Sequence, residues 1–227
     1  MGAMIEFPSN GHTCGGYLAI PESGSGPGVV VIQEWWGLVP HIQDVCDRLA
    51  AEGFVALAPD LFHGETTTEP DEAGKLMMAL NVEAAAKDMS GAVDALMSHG
   101  ATTGTHVGVV GFCMGGGLAL VLACLRPDAV AACAPFYGVI PWEDAKPDYS
   151  ALTATVRGHF AENDGFFSPE MARALEDELQ GLGKDAEITV HPGVDHAFFN
   201  DTRPEVYAAE TSQVAWDATL ALFRSTL

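Results

Sequence analysis

The sequence predicts an α/β fold, with a mostly parallel central sheet covered by helices on both faces. Three observations carry that expectation. Short apolar, β-branched runs recur along the chain, stretches of helical period separate them, and loops rich in glycine or proline punctuate the joins. Strands buried on both faces read as continuous apolar runs, and parallel neighbours need a connection long enough to hold a helix.

Taken in order, residues 1–20 suggest an edge hairpin with Cys14 to Ile20 as its second strand. After the loop Ser23-Gly24-Ser25-Gly26-Pro27-Gly28, the run Val29-Val30-Val31-Ile32 reads as a buried strand, as do Val55 to Ala58 and Val107 to Val110. Between the first two runs, Ile42, Val45, Cys46 and Leu49 recur at helical spacing. Between the second two, Val82, Ala86, Met89, Val93 and Leu96 do the same. Further strands are expected at Ala129 to Ala134, Ala154 to Phe160 and Ala186 to Val190. Helices are expected over Leu118 to Leu125, Ser168 to Leu182 and Glu205 to Phe223, the last with Trp216, Leu220 and Phe223 on one face. The segment Leu61 to Ala73 reads either as a lid over a site or as a solvated loop. With no internal repeat or linker, a single domain spanning 1–227 is expected.

Composition narrows the function. The chain of 227 residues has 48% hydrophobic and 18% charged residues, a globular balance. Lys plus Arg number 10 and Asp plus Glu 31, a formal charge of −21. Such a surface repels nucleic acid and anionic membranes, which need cationic side chains to neutralise phosphate. No apolar run is long enough to span a bilayer. Met1 to Asn10 lacks a basic region followed by an apolar core, and the five cysteines, Cys14, Cys46, Cys113, Cys124 and Cys133, show no paired spacing. The expected compartment is therefore a reducing cytoplasm. Nothing in the chain specifies an oligomeric state.

The stretch Val107-Gly108-Val109-Val110-Gly111-Phe112-Cys113-Met114-Gly115-Gly116-Gly117 carries the most chemistry. A strand ends, one residue sits between glycines, and a helix begins: the Gly-x-nucleophile-x-Gly elbow, with Cys113 where serine is more usual. The turn is sharp and strained, so side chains at Gly111 and Gly115 would clash. The helix that follows points its N-terminus at the nucleophile, which favours a thiolate and a developing oxyanion. Cys124 and Cys133 lack the glycine frame and read as buried core cysteines.

A cysteine nucleophile needs a base and an orienting acid, expected in the chain order nucleophile, acid, histidine. Asp164 follows the strand ending at Phe160, with Glu162 and Asn163 as rivals. His196 follows the strand ending at His191, with His191 as a rival base and Asp195 as a rival orienter. The remaining histidines, His12 and His63 among them, read as structural or solvated.

These residues, with Gln33-Glu34-Trp35-Trp36-Gly37, Ala58-Pro59-Asp60-Leu61, Tyr137-Gly138 and Asp195-His196-Ala197-Phe198, make the sequence resemble the dienelactone hydrolase family of α/β-hydrolases across nearly its whole length. The resemblance implies a triad of Cys113, His196 and Asp164. It implies that Glu34 contacts the resting cysteine and exchanges partners when substrate arrives, against the alternative of a solvated strand-end acid. It also implies an oxyanion hole from the backbone N–H groups of Met114 and Trp35. No metal or organic cofactor is implied, and His191, Asp195 and His196 read as a strand end and a catalytic loop, not a ligand set.

The sequence departs from the family at the two arginines with which its founding enzymes hold a substrate carboxylate. Around the first position stands Thr68-Glu69-Pro70-Asp71; at the second stands Asn200, with Arg203 three residues on. Losing both cations removes the electrostatic reason to bind a dicarboxylate-like lactone. Trp36, Phe198 and Tyr137 are the expected substrate-binding residues, with Trp35, Phe199 and Trp142 as further aromatic candidates and core packing as the alternative for each. The function expected is hydrolysis of small carboxylic esters or lactones through a thioester. The alternatives are the same triad acting on thioesters or activated phosphoesters, and a non-catalytic ligand-binding protein.

Overall fold

A computed structural model describes residues 1–9, 11–140, 142 and 145–227. Eight strands form one sheet: β1 (Ala3–Ser9), β2 (His12–Ala19), β3 (Gly26–Ile32), β4 (Val55–Pro59), β5 (Thr102–Phe112), β6 (Val130–Phe136), β7 (Thr155–Asn163) and β8 (Ala186–Asp195). Their order is β1-β2-β4-β3-β5-β6-β7-β8. From β4 to β8 every neighbouring pair is parallel, while β1 and β2 add an antiparallel hairpin at the edge. The expected edge hairpin is present; Asn10 lies outside the described residues.

The helices are α1 (Pro40–Ala51), α2 (Pro70–Ala79), α3 (Val82–Ser98), α4 (Met114–Leu125), α5 (Pro169–Gly181) and α6 (Ala209–Thr226). Helices α1 and α6 cover one face, joined where Phe54 meets Phe223 and Arg224 bonds Glu52, and α3, α4 and α5 cover the other. The run Val29 to Ile32 is completely buried. Each such side chain withdraws enough apolar area to be worth roughly 1.5–3 kcal/mol against exposure. Helix α4 is apolar on nearly all sides because it lies deepest, and Gly116 and Gly117 let it approach the backbone at Phe136 and Val139, where a Cβ would collide.

Three expectations need correction. The segment Leu61 to Ala73 is not irregular throughout: Pro70 opens α2, with Asp71 and Glu72 in the first turn, where they complement the helix dipole. Strand β8 continues past Pro192 to Asp195, pairing Asp195 with Asn163 across an irregularity in register. The last helix begins at Ala209, because residues 200–207 close into tight turns in which Arg203 N–H donates to Asn200 and Tyr207 N–H to Arg203.

The topology sets the location of the site. Strand β3 connects outward to β4 on one side, and the chain then returns to β5 on the other. In open α/β sheets a crevice forms at the carboxyl ends of the strands where the winding reverses. Glu34 follows β3, Cys113 follows β5, Asp164 follows β7 and His196 follows β8, all at that end.

Candidate active site

Cys113 occupies the turn between β5 and α4 with φ 56° and ψ −122°, a conformation that costs energy for any residue with a Cβ. Neighbouring glycines make the turn possible. A Cβ at Gly111 would overlap the carbonyl of Gly115, one at Gly115 would strike the backbone of Ile32 and Gln33, and one at Gly138 would overlap the carbonyl of Cys113 itself. Cys113 N–H donates to Phe136 O at 3.1 Å and its own carbonyl accepts from Gly116 N–H at 2.9 Å. It is the N-cap residue of α4, yet its side chain makes no capping bond. Helices are usually capped there by a Ser, Thr, Asp or Asn side chain; here the sulfur stays available.

His196 Nδ1 lies 2.7 Å from Asp164 Oδ2, and Cys113 is within hydrogen-bonding reach of the same ring. The other carboxylate oxygen, Asp164 Oδ1, accepts from Phe166 N–H at 2.8 Å and Phe167 N–H at 2.9 Å. With one oxygen fixed by backbone amides, the other is aimed at the imidazole. Burial works against a charge on His196, but the hydrogen bonds to Asp164 and Cys113 and the charges of both push it up to about 10. The edge of His196 rests on Tyr137, with ring centroids 5.1 Å apart.

Glu162 is exposed and accepts from Gly193 N–H at 2.8 Å, and Asn163 and Asp195 are exposed strand-end residues. His191 is buried beside His159, its Nε2 3.2 Å from His159 Nδ1, away from the cysteine.

Glu34 is buried, and burial raises its affinity for a proton; the charge of His196, the bond from Asn200 and the charge of Arg203 oppose that rise. Its Oε2 accepts from Asn200 Nδ2 at 2.9 Å. Asn200 is aligned in turn by Thr202, whose N–H and hydroxyl both donate to Asn200 Oδ1. The expectation that Glu34 contacts the cysteine therefore meets a different arrangement: the two line one cavity, but the hydrogen bond runs to Asn200. Asparagine at this position gives the carboxylate a neutral donor where an arginine would give it a charge.

The cavity holds about 380 Å³, within the range of small-molecule sites. Cys113, His196, Glu34, Trp35 and Trp36 line it. Phe198 and Tyr137 do not. Both are fully buried, and Phe198 packs on Tyr137 and His191, because Ala197 takes a left-handed conformation, φ 64°, that turns the chain inward after His196. Phe199 is likewise core, stacked on Phe112, and Trp142 lines a separate hollow.

In their place the wall is completed by Phe166, Phe167, Pro70 and Met77. The two phenylalanines follow Asp164-Gly165, and Phe166 is 65% exposed at the mouth of the cavity. Pro70 and Met77 are two turns apart on one face of α2, so the end of the segment read as lid or loop opens a helix that walls the site. Arg203 also lines the cavity, its guanidinium 6.0 Å from the Trp36 ring centroid. Neither family position holds an arginine, but the turn that follows Asn200 brings Arg203, paired with Glu205 at 2.9 Å, to the wall.

Sheet order and turn geometry together define the class of protein as an α/β-hydrolase. The chain belongs to the dienelactone hydrolase family, whose model matches residues 14–227. It is 39% identical over 233 residues to the protein usf of Aquifex pyrophilus, covering 100% of both chains. It is 34% identical over 233 residues to a protein of Aquifex aeolicus (strain VF5) provisionally assigned as a carboxymethylenebutenolidase, again covering 100% of both. A solved structure from Klebsiella pneumoniae subsp. pneumoniae MGH 78578, provisionally assigned as a dienelactone hydrolase, superposes with a TM-score of 0.89 at 28% identity, covering 99% of this chain and 98% of that one. The protein is a hydrolase of that family. Among the described residues no helix is long and apolar enough to cross a membrane.

Proposed function

We propose that this hydrolase cleaves small carboxylic esters or lactones with Cys113 as nucleophile, through a thioester. The observation that supports this reading best is the union of a strained cysteine turn with a histidine anchored 2.7 Å from a buried aspartate. The Cys113 sulfur attacks the carbonyl carbon, and the tetrahedral oxyanion is held by the backbone N–H groups of Met114, first residue of α4, and Trp35. Collapse expels the alkoxide, which takes its proton from His196. Cys113 is then a neutral thioester, so two of the influences that raise His196 are gone. The imidazole, neutral once it has protonated the alkoxide, takes a proton from the hydrolytic water, and collapse of the second tetrahedral intermediate expels the Cys113 sulfur. Asp164 holds the ring in one tautomer throughout, and Glu34 supplies a second carboxylate beside the resting thiol.

The mostly apolar wall with Arg203 at one side suits a small acyl or aromatic ester, or a lactone with one polar or anionic substituent. Hydrolysis of an activated aryl ester by the wild type and by Cys113→Ala tests the mechanism. Turnover is expected to be lost with the thiol, and intact-mass spectrometry of the wild type is expected to show an acyl adduct on Cys113. Full activity in Cys113→Ala would end it. A parallel panel of lactones, thioesters and phosphotriesters ranks the electrophiles.

A further inference from the structure

We propose that His12, His63 and Asp88 form a binding site for a divalent metal of the zinc type, separate from the active-site cavity. The three come from the hairpin, from the loop after β4 and from the middle of α3, and none lines that cavity. One ligand atom from each can be chosen so that all lie within 4.8 Å of one another. His12 Nε2 stands 3.3 Å from Asp88 Oδ1, and His63 Nε2 stands 3.4 Å from Asp88 Oδ2. Two ligands at a zinc bond length of about 2.0–2.1 Å and a tetrahedral angle lie roughly 3.3–3.4 Å apart. The histidine rings meet edge to face, centroids 5.5 Å apart, instead of stacking.

Asp88 supplies the independent indication of a ligand. Its side chain is 1% exposed, yet among the described residues Oδ2 has no hydrogen-bond partner, His63 Nε2 standing 3.4 Å away, while Oδ1 accepts from Ser9 Oγ at 2.8 Å. A buried carboxylate oxygen without a partner is costly, and a cation between it and the two imidazoles would satisfy it. His12 and His63 have side chains 43% and 51% exposed, so an ion can enter and water can complete its coordination. Two imidazoles select a zinc-like ion over magnesium or calcium, which prefer all-oxygen shells. The net charge of −21 raises the local concentration of cations.

A metal here would tie the hairpin tip to α3 and to the loop that leads through Leu61–Glu69 into α2. His63 is held for that role in a left-handed conformation, φ 53°, with Asp60 accepting from the N–H groups of Phe62 and Gly64 on either side.

Calorimetric titration of Zn²⁺ into the Cys113→Ala protein, which lacks the reactive thiol, tests the site, with Mg²⁺ titrated in parallel. One Zn²⁺ per chain and a rise in Tm are expected. Binding should weaken at least about tenfold in His12→Ala and in His63→Ala, exposed positions whose replacement leaves the core intact. Absence of Zn²⁺ binding would overturn the proposal. So would Zn²⁺ binding unchanged in both variants, or matched by Mg²⁺, the mark of a diffuse acidic surface.

Discussion

At the scale of single residues, His196 stands apart because three influences meet on one ring. Burial lowers its proton affinity, and the contacts with Asp164 and Cys113 reverse that and carry it to about 10. A histidine raised in the folded state contributes stability that is fully present below its unfolded value near 6.5 and is lost as pH rises toward the folded value. The Tm is therefore expected to fall from about pH 6.5 upward, with a shallower fall in His196→Gln. The pH range below 9 isolates this histidine. Burial pushes Cys124 up to about 11 and Cys14 up to about 12, so their contribution begins only above the ordinary thiol value of 9.0. Asp164→Asn leaves the fold in place but frees the ring to adopt the wrong tautomer. On the proposed mechanism it costs about 10⁴ in kcat, by the arithmetic of other triads.

Among the elements, the junction of β5, α4 and β6 decides whether the cysteine turn exists. Gly138 follows β6, and its Cα approaches the carbonyl of Cys113 so closely that any Cβ would overlap it. Gly138→Ala must push β6 away from α4 or relax the turn. Expected is a destabilisation on the order of 1–3 kcal/mol or more in urea unfolding, accompanied by loss of turnover beyond the loss of folded protein. Strands β7 and β8 contribute a second feature at this scale, the buried pair His159 and His191. Burial and the neighbouring imidazole hold His159 down to about 3, and burial lowers His191 as well. Both are neutral in the folded protein, so stability is lost as pH falls below about 6.5. His159→Phe keeps a ring against Phe136, now 4.8 Å away, and should move the acid midpoint of unfolding to lower pH.

Over the whole molecule, the charge of −21 acts on both stability and substrate approach. Like charges repel in the compact state, and at 0.1 M ionic strength they are screened beyond about 10 Å. Added sodium chloride is expected to raise the Tm from its low-salt value. The same field opposes an incoming anion, although Arg203 awaits it at the cavity wall. For a matched pair of esters, kcat/KM of the anionic one should rise with salt while that of the neutral one stays level. A fall for the anionic ester would mean that the local attraction of Arg203 outweighs the global field.

The sequence by itself determined what depends on local chemistry and chain order. Apolar runs specified the buried strands, the glycine frame singled out Cys113 among five cysteines, and the strand-end positions of Asp164 and His196 put them within a few residues of their observed places. Helix α2 was obscured because its first turn, Pro70-Asp71-Glu72, is as polar as the loop before it. Which aromatic residues face the cavity was decided only in three dimensions. Phe198 and Phe166 are equally apolar in sequence, but the left-handed Ala197 turns one into the core, while the Asp164 turn leaves the other at the mouth. The return of Arg203, the bond between Asn200 and Glu34, and the meeting of His12, His63 and Asp88 belong to the same category. Each joins residues far apart along the chain or reversed by a turn, and neither periodicity nor motif spacing records where a folded backbone brings such side chains together.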